Sequence, residues 1–290
     1  MKKFLATLCS AVLAIAACFG VAACGGNDDK ADALKLIDVK LTEENYAFAV
    51  NKDNAELLAS ANTYLASIKE DGTFDTIVAK YFEGEGTPVG QTLGTYDESK
   101  EQLVVLTNTP FEPFEFVGND GKYYGVDMEI AAGLAAYLEM ELCIIEHVNF
   151  DTICEEVSKY ENGMVMAGLT VSEDRAEIVN FTNTYYEASQ VLITAGADTK
   201  FDACETAADV EAILNGFDSS VTIGYQNGTT GALYVNGDAD WGFAGFNVTP
   251  SGFNTAALAA QALINGSIQY VVVDAAPAAA IVKALNELNN

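Results

Sequence analysis

The sequence predicts an α/β protein, and three observations carry that prediction. From Leu103 onward, short apolar runs alternate in regular order with helix-patterned stretches, the arrangement that produces sheets covered by helices. The runs VLITA, VTIGY and YVVVD are apolar at every position rather than at every second one, which marks strands buried on both faces. Beyond the leader about 265 residues remain, enough for one large domain or two lobes of ordinary size.

The chain opens with Lys2 and Lys3, then runs almost wholly apolar from Phe4 to Ala23 and ends in small residues. This is the layout of a secretory signal, assigned to residues 1–23. Its end, VAAC followed by GGNDDKAD, resembles the bacterial lipobox. Processing there leaves Cys24 as a diacylated N-terminus and residues 24–33 as a polar tether, so that a lipid anchors the protein without a spanning helix. An uncleaved membrane helix is the other reading, since about 20 apolar residues span a bilayer, although Ala and Gly dominate this run.

LKLIDVKL (34–41) alternates and reads as a strand, and YAFAV (46–50) as a second apolar run. Asp53 stands where it can cap a helix carrying Leu57, Leu58, Ala61, Leu65 and Ile68 on one face, and Gly72 ends that helix. A short helix follows through Phe74, Ile77, Val78, Tyr81 and Phe82. The stretch GEGTPVGQTLGTYDESK (84–100) holds four Gly and a Pro and reads as a surface connection. LVVLTN is then a strand. Asp127 is a candidate cap for a helix bearing Ile130, Ala131, Leu134, Ala135 and Leu138. LCIIEHV is a strand, DTICEEVSKY a helix and MVMAGL a strand.

Composition removes several function classes. Asp and Glu total 42 against 14 Lys and Arg, a formal charge of −28. Nucleic-acid binding requires clustered cations, so no nucleic-acid partner is expected, and anionic lipid surfaces are equally unsuited. The single histidine, His147, lies inside a strand-like run and reads as a satisfied strand residue. One His and three scattered cysteines beyond Cys24 exclude the usual zinc sites, so no metal and no cofactor are expected. No GxSxG or HExxH occurs. Cys143, Cys154 and Cys204 read as small buried residues, with a Cys143–Cys154 bridge as the alternative.

Four places could carry chemistry. Arg175, the only arginine, follows a buried-type strand; a guanidinium is the side chain best shaped to fork onto a carboxylate. A structural ion pair with Asp174 or Glu177 competes with that role. Phe111, with Phe114 and Phe116, follows LVVLTN, and ligands of open α/β sheets sit beyond the carboxyl ends of strands; rings that merely pack down are the alternative. In GYQNGTTGA, Gly228 and Gly231 bracket Thr229 and Thr230, so backbone N–H and hydroxyl groups can face an anion. Asp274 ends YVVVD, where it can pair with an ammonium group or cap the next helix.

These four places occur in order, each at a strand end. The stretches TNTPFEPFEF, YGVDMEIAAGLAAYL, VNFDTI, AGLTVSEDRAEIVNFTNTYY, IGYQNGTTG and VVVDAAPA closely resemble the amino-acid-binding family of periplasmic binding proteins, the receptors of polar amino-acid ABC importers, from Gln102 to Ala280. The resemblance implies a two-lobed type II periplasmic-binding fold. It implies that Phe111 covers the ligand and Phe150 closes the other side. Gly168 and Thr170 hold its α-amino and α-carboxylate groups. Arg175 and Thr230 bind the carboxylate, and Asp274 pairs with the ammonium. Gly163 and Gln269 stand where relatives have aspartates of architectural type. Asn108 stands where relatives that bind basic amino acids or glutamine carry aspartate, so an uncharged ligand side chain is expected.

The order of segments departs from the family. YAFAVNKDNAELLASANTYLASIKEDGTFDTIVAKYF resembles the block with which members end, yet stands here at Tyr46–Phe82, and LKLIDVKL resembles what precedes that block. A circular permutation is expected, with a fragment of a lost upstream copy as the alternative. Lobe one then takes residues 45–194 and lobe two residues 34–44 with 195–290, hinged near Asn45 and Thr194. The expected protein is a monomer on the outer face of the cell membrane, held there by lipid, that captures a small amino acid for an ABC importer permease. It is expected not to be an enzyme. An enzyme on the same fold, of cyclic-acid dehydratase type, or a sensor-type binding protein is the competing reading; Glu112 and Glu115 are the proton donors nearest in sequence.

Overall fold

The computed structural model describes residues 33–289. The expected leader, Cys24 and nearly all of the tether lie outside the described residues. In chain order the first elements are β1 (Leu34–Ile37), β2 (Glu44–Tyr46), β3 (Ala49–Asn51), α1 (Ala55–Glu70) and α2 (Thr73–Phe82). Asn54 rather than Asp53 caps α1, its side chain accepting from the Leu57 N–H at 2.8 Å. The Asp53 N–H is held by Asn51 Oδ1 at 3.0 Å, which keeps Asp53 in the preceding turn.

After the mostly exposed 84–100 connection come β4 (Gln102–Thr107), β5 (Phe116–Val117), β6 (Tyr123–Tyr124), α3 (Val126–Tyr137), β7 (Glu141–Glu146), α4 (Ile153–Glu156), β8 (Gly163–Val165) and α5 (Glu173–Ile178). The helix expected over 151–160 is broken. Only α4 is α-helical, between 3₁₀ turns at Phe150–Thr152 and Val157–Lys159. Hydroxyl bonds from Thr152 to Asn149 O and from Ser158 to Glu155 O draw on the same carbonyls as the helical ladder. Asp127 does not cap α3 either. Gly125 occupies the N-cap with φ 130°, where a Cβ would stand 1.9 Å from Phe114 O.

The remaining elements are β9 (Val179–Phe181), β10 (Tyr186–Ala188), β11 (Gln190–Ala195), α6 (Ala207–Leu214), β12 (Thr222–Gln226), α7 (Thr230–Asn236), β13 (Thr249–Phe253), α8 (Ala256–Ile264), β14 (Tyr270–Asp274) and α9 (Ala275–Asn289). They complete two five-stranded mixed sheets, ordered β7-β4-β8-β3-β9 and β1-β11-β14-β12-β13. A ribbon of β2 against β10 joins them, with Tyr46 opposite Tyr186 and Glu44 opposite Ala188.

Strand alternation explains the continuous apolar runs. In β4, Leu103 and Val105 face one core while Val104 and Leu106 face another. In β14, Tyr270 and Val272 face one core of the second sheet while Val271 and Val273 face the other. Each sheet is therefore buried on both faces, as parallel and mixed sheets under helices are. The fold is the two-lobed α/β architecture that the sequence predicts.

One boundary moves. The crossing expected near Thr194 lies at Tyr186–Ser189, because Gln190–Ala195 is already a central strand of the second sheet, paired to β1 and β14. Asn45, where the other crossing is expected, lies in β2 of the ribbon. Cys143, Cys154 and Cys204 are free thiols, so the alternative bridge is not formed. Among the described residues no helix is long and apolar enough to cross a membrane. The start of β1 and the end of α9 are adjacent: Leu34 N–H donates to Asn286 Oδ1, and Asn286 Nδ2 donates to Leu34 O, both at 2.9 Å.

Candidate ligand-binding site

The carboxyl ends of β4 and β8 in one lobe face those of β12 and β14 in the other. Between them lies a nearly closed cleft that leaves a free volume of only about 10 Å³. Its walls include Asn108, Phe111, Phe150, Gly168, Thr170, Arg175, Thr230 and Asp274, so all eight residues singled out from sequence meet around one cavity. Glu115, Ala167, Gln226 and Thr229 complete the lining.

On the first lobe, β4 runs into Asn108. Its amide donates to His147 O at 2.7 Å and to Val148 O at 3.3 Å. Phe111 is buried over Gly168. Of its neighbours, Phe114 packs edge-on into the core beside Tyr46, and Phe116 stacks on Tyr124, so only Phe111 of the three rings lines the cavity. Gly168 has φ 53°, and a Cβ there would meet Phe111 Cε1 at 2.4 Å; this position admits only glycine without strain. Its N–H donates to Asp127 Oδ2 at 3.0 Å, and Tyr185 Oη donates to Asp127 Oδ1 at 2.7 Å. Asp127 is thus a buried brace beneath the cavity floor. Burial pushes its carboxyl up to about 7.

Ser172 caps α5 and places Arg175 in its first turn. The guanidinium donates to Thr170 O at 2.6 Å and, across the cleft, to Gly228 O at 2.8 Å. It lies 5.3 Å from the centre of the Phe150 ring, within cation–π range. Among the described residues Arg175 forms no ion pair with Asp174 or Glu177, the contacts that a purely structural role would use. Burial draws its pKa down, while Cys154, Glu44 and Asp274 act in the other sense.

On the second lobe, Gln226 ends β12 and donates to Asn108 Oδ1 at 3.0 Å, a second bond across the cleft. Its other amide atom accepts from the Ala256 N–H. Thr230 is buried at the first residue of α7. Asp274 is buried at the end of β14 and accepts from Tyr46 Oη. Its carboxyl is pushed up to about 7, first by burial and then by Glu44.

Glu115 is the residue the sequence left undecided. It is fully buried, lines the cavity, and neither carboxyl oxygen has a hydrogen-bond partner among the described residues. Burial pushes it well above the usual carboxylate range, with Asp127, Glu146 and Asp274 adding to the effect. Glu112, its neighbour in sequence, is exposed and does not line the cavity. Gln226 was not singled out from sequence; only its place at a strand end could have marked it. His147 bonds Thr152 Oγ1 through its ring at 3.0 Å. The described residues hold no cluster of His, Cys, Asp and Glu that could bind a metal.

An arginine fork, threonine hydroxyls and a buried aspartate around one small cavity are chemistry for a zwitterion. Residues 103–287 match the family model of bacterial extracellular solute-binding proteins, family 3. The chain belongs to this family. The chain is similar to ABC transporter arginine-binding protein 1 of Escherichia coli, 29% identical over 135 residues, which are 47% of this chain and 50% of that one. The chain spans about half the length of the curated relatives it matches. Among solved structures, holo ArgBP from T. maritima is 29% identical with a TM-score of 0.53, over 64% of this chain and 75% of that one. An ancestral arginine-binding protein bound to glutamine is 25% identical with a TM-score of 0.51, over 66% and 75%. The fold is accordingly the two-lobed type II fold of periplasmic binding proteins.

Proposed function

We propose that the cleft captures a free amino acid with a cationic side chain and that the chain presents it to an ABC importer. The observation that carries this reading is the cavity itself. Arg175 of one lobe and Asp274 of the other face it together, with the unpartnered carboxyl of Glu115 in its wall. Arg175 and Thr230 would hold the α-carboxylate, and Asp274 the α-ammonium group. Phe111 and Phe150 would flank the side chain. A ligand that touches both lobes favours the closed arrangement, because only there are all contacts made.

The side-chain class follows from Glu115 rather than from Asn108. Asn108 points to an uncharged ligand on sequence grounds, yet its amide is committed to His147, Val148 and Gln226. A buried carboxyl without a partner is costly, and a ligand guanidinium or ammonium group resolves it. The names of the arginine-binding relatives agree with this choice. Titration calorimetry of wild type and Glu115→Gln with L-arginine and L-glutamine tests it. Wild type should prefer arginine, and the variant should lose arginine affinity by about 2 kcal/mol or more, some thirtyfold. Tighter glutamine than arginine binding in wild type would restore the Asn108 argument.

Glu115 also meets one requirement of the enzyme alternative, a buried proton donor facing the ligand. Release of a dehydrated product from a bound cyclic acid would favour that reading. Absence of turnover with retained amino-acid binding favours the binding protein.

Three further features belong to this proposal. Cys24 carries lipid and tethers a monomer to the outer face of the membrane; a mature-protein mass lacking acyl chains would contradict this. The two lobes comprise residues 45–188, and 34–44 with 189–290. The chain is circularly permuted. Support comes from β1, which pairs with β11 in the second sheet, while β3 completes the first. The paired contacts of Leu34 and Asn286 support it too, since the start of β1 lies beside α9.

A further inference from the structure

Residues two apart in a strand point the same way, so β2 turns Glu44 and Tyr46 to one face of the hinge ribbon. Both are buried, and Asn45 between them is exposed. That face meets Asp274. Tyr46 Oη donates to Asp274 Oδ1. Gln190, directly opposite Asp274 in the β11–β14 register, donates to Glu44 Oε1 at 3.0 Å. Thr42 Oγ1 donates to the same oxygen at 2.6 Å, and Thr170 Oγ1 to Glu44 Oε2 at 2.8 Å. Two buried carboxyl groups thus share one network that ties the hinge to the binding residues of both lobes.

Like charges in such a setting oppose one another's ionisation. Donors reach both oxygens of Glu44; Asp274, buried beside it, also accepts from Tyr46 and Gln190, yet burial and then the Glu44 charge push its carboxyl up to about 7. We propose that Glu44 makes ligand capture a proton-releasing event: its charge keeps a proton on Asp274 while the cleft is empty, and the incoming α-ammonium group displaces that proton to solvent. The Asp274 O–H bond breaks, the proton passes to water or buffer, and the carboxylate left behind pairs with the ammonium. Glu44 acts as a positioning residue, touching Thr170 and governing Asp274 without a place in the cavity wall. The inference rests on the amino-acid reading of the cleft.

Other groups face Asp274. Arg175 on α5 favours its ionised form, Tyr46 donates to it, and Tyr186 on β10 and Glu115 after β4 stand close enough to interact. Glu115 would itself lose a proton to water or buffer when a cationic side chain pairs with it. Glu44 is not among the groups that raise Glu115, although its charge also acts on Tyr46 and Arg175.

The test is calorimetry of the mature protein with L-arginine as the probe, at pH 6, 7 and 8, in buffers of different ionisation enthalpy. Wild type should release about one proton or more at pH 6 and bind at least about tenfold more weakly there than at pH 8. In Glu44→Gln that pH 6 to pH 8 ratio should fall at least threefold, while Glu44→Asp, which keeps the charge, should retain it. No proton release by wild type at pH 6 overturns the inference without recourse to any variant. So does a Glu44→Gln protein that binds more weakly by the same factor at every pH. Binding at pH 8 without pH dependence sinks this inference alone. If none of the twenty amino acids binds at pH 8, the amino-acid reading falls and this inference with it.

Discussion

The two donor pairs of Arg175 are turned to main-chain carbonyls, Thr170 O on its own lobe and Gly228 O on the other. A bound carboxylate would compete for that fork, so in the proposed site Arg175 would serve as both ligand anchor and latch. Arg175→Ala should therefore abolish ligand-dependent stabilisation, and Arg175→Lys should restore little of it, since an ammonium cannot donate two parallel bonds. Differential scanning fluorimetry with and without ligand checks both. Asp127 and Asp274, each pushed up to about 7 by burial, predict a pH effect on the empty protein. Their folded-state values lie above the unfolded ones, so the folded state binds more protons between about pH 4 and pH 7. Stability from these groups is fully present below about pH 4 and is lost as pH rises through that window. Urea midpoints measured from pH 4 to pH 7.5 should fall; a flat or rising series would contradict the assignment.

The secondary-structure elements show how far sequence pattern reaches. β4, β11, β12 and β14 were legible because both faces of each are apolar, and α1 and α3 because their buried residues recur at helical spacing. β2 was not, since Glu44 and Asn45 give it no apolar run; its buried glutamate makes sense only once β10 and Asp274 are beside it. The same holds for Glu115 and Gln226, whose inward direction depends on packing between distant segments. The 151–160 stretch looked helical because Ile153, Cys154 and Val157 are buried at helical spacing, yet local hydroxyl bonds break it. Packing gives two predictions here. Leu134→Ala in the core face of α3 should cost about 2–5 kcal/mol in a chemical-denaturation experiment. Gly163→Ala should also destabilise, because a Cβ would stand 2.7 Å from Val157 O and 2.8 Å from Tyr160 O, and those carbonyls belong to the backbone that turns into β8.

At the scale of the whole molecule, the β2–β10 ribbon between the two sheets is the proposed hinge, and direct bonds cross the cleft from Gln226 to Asn108 and from Arg175 to Gly228. Ligand should decrease the radius of gyration in small-angle scattering. The proposed permutation makes its own prediction. A rewired chain that starts at Glu101, runs to Asn289, crosses a short linker to Ala33 and ends at Gly84 should fold and bind the same ligand; a rewired chain that does not fold would argue against it. Capture of an amino acid through Arg175 underlies every other role proposed for the cleft. The most direct measurement is a thermal-shift screen of the mature protein against the twenty amino acids, run beside Arg175→Ala. Ligand at about a thousand times its dissociation constant adds roughly 4 kcal/mol of stability. Arginine or another cationic amino acid should shift the midpoint by several degrees, and the shift should be absent in the variant. A well-folded protein that shifts with no amino acid, or that shifts equally in Arg175→Ala, would contradict it.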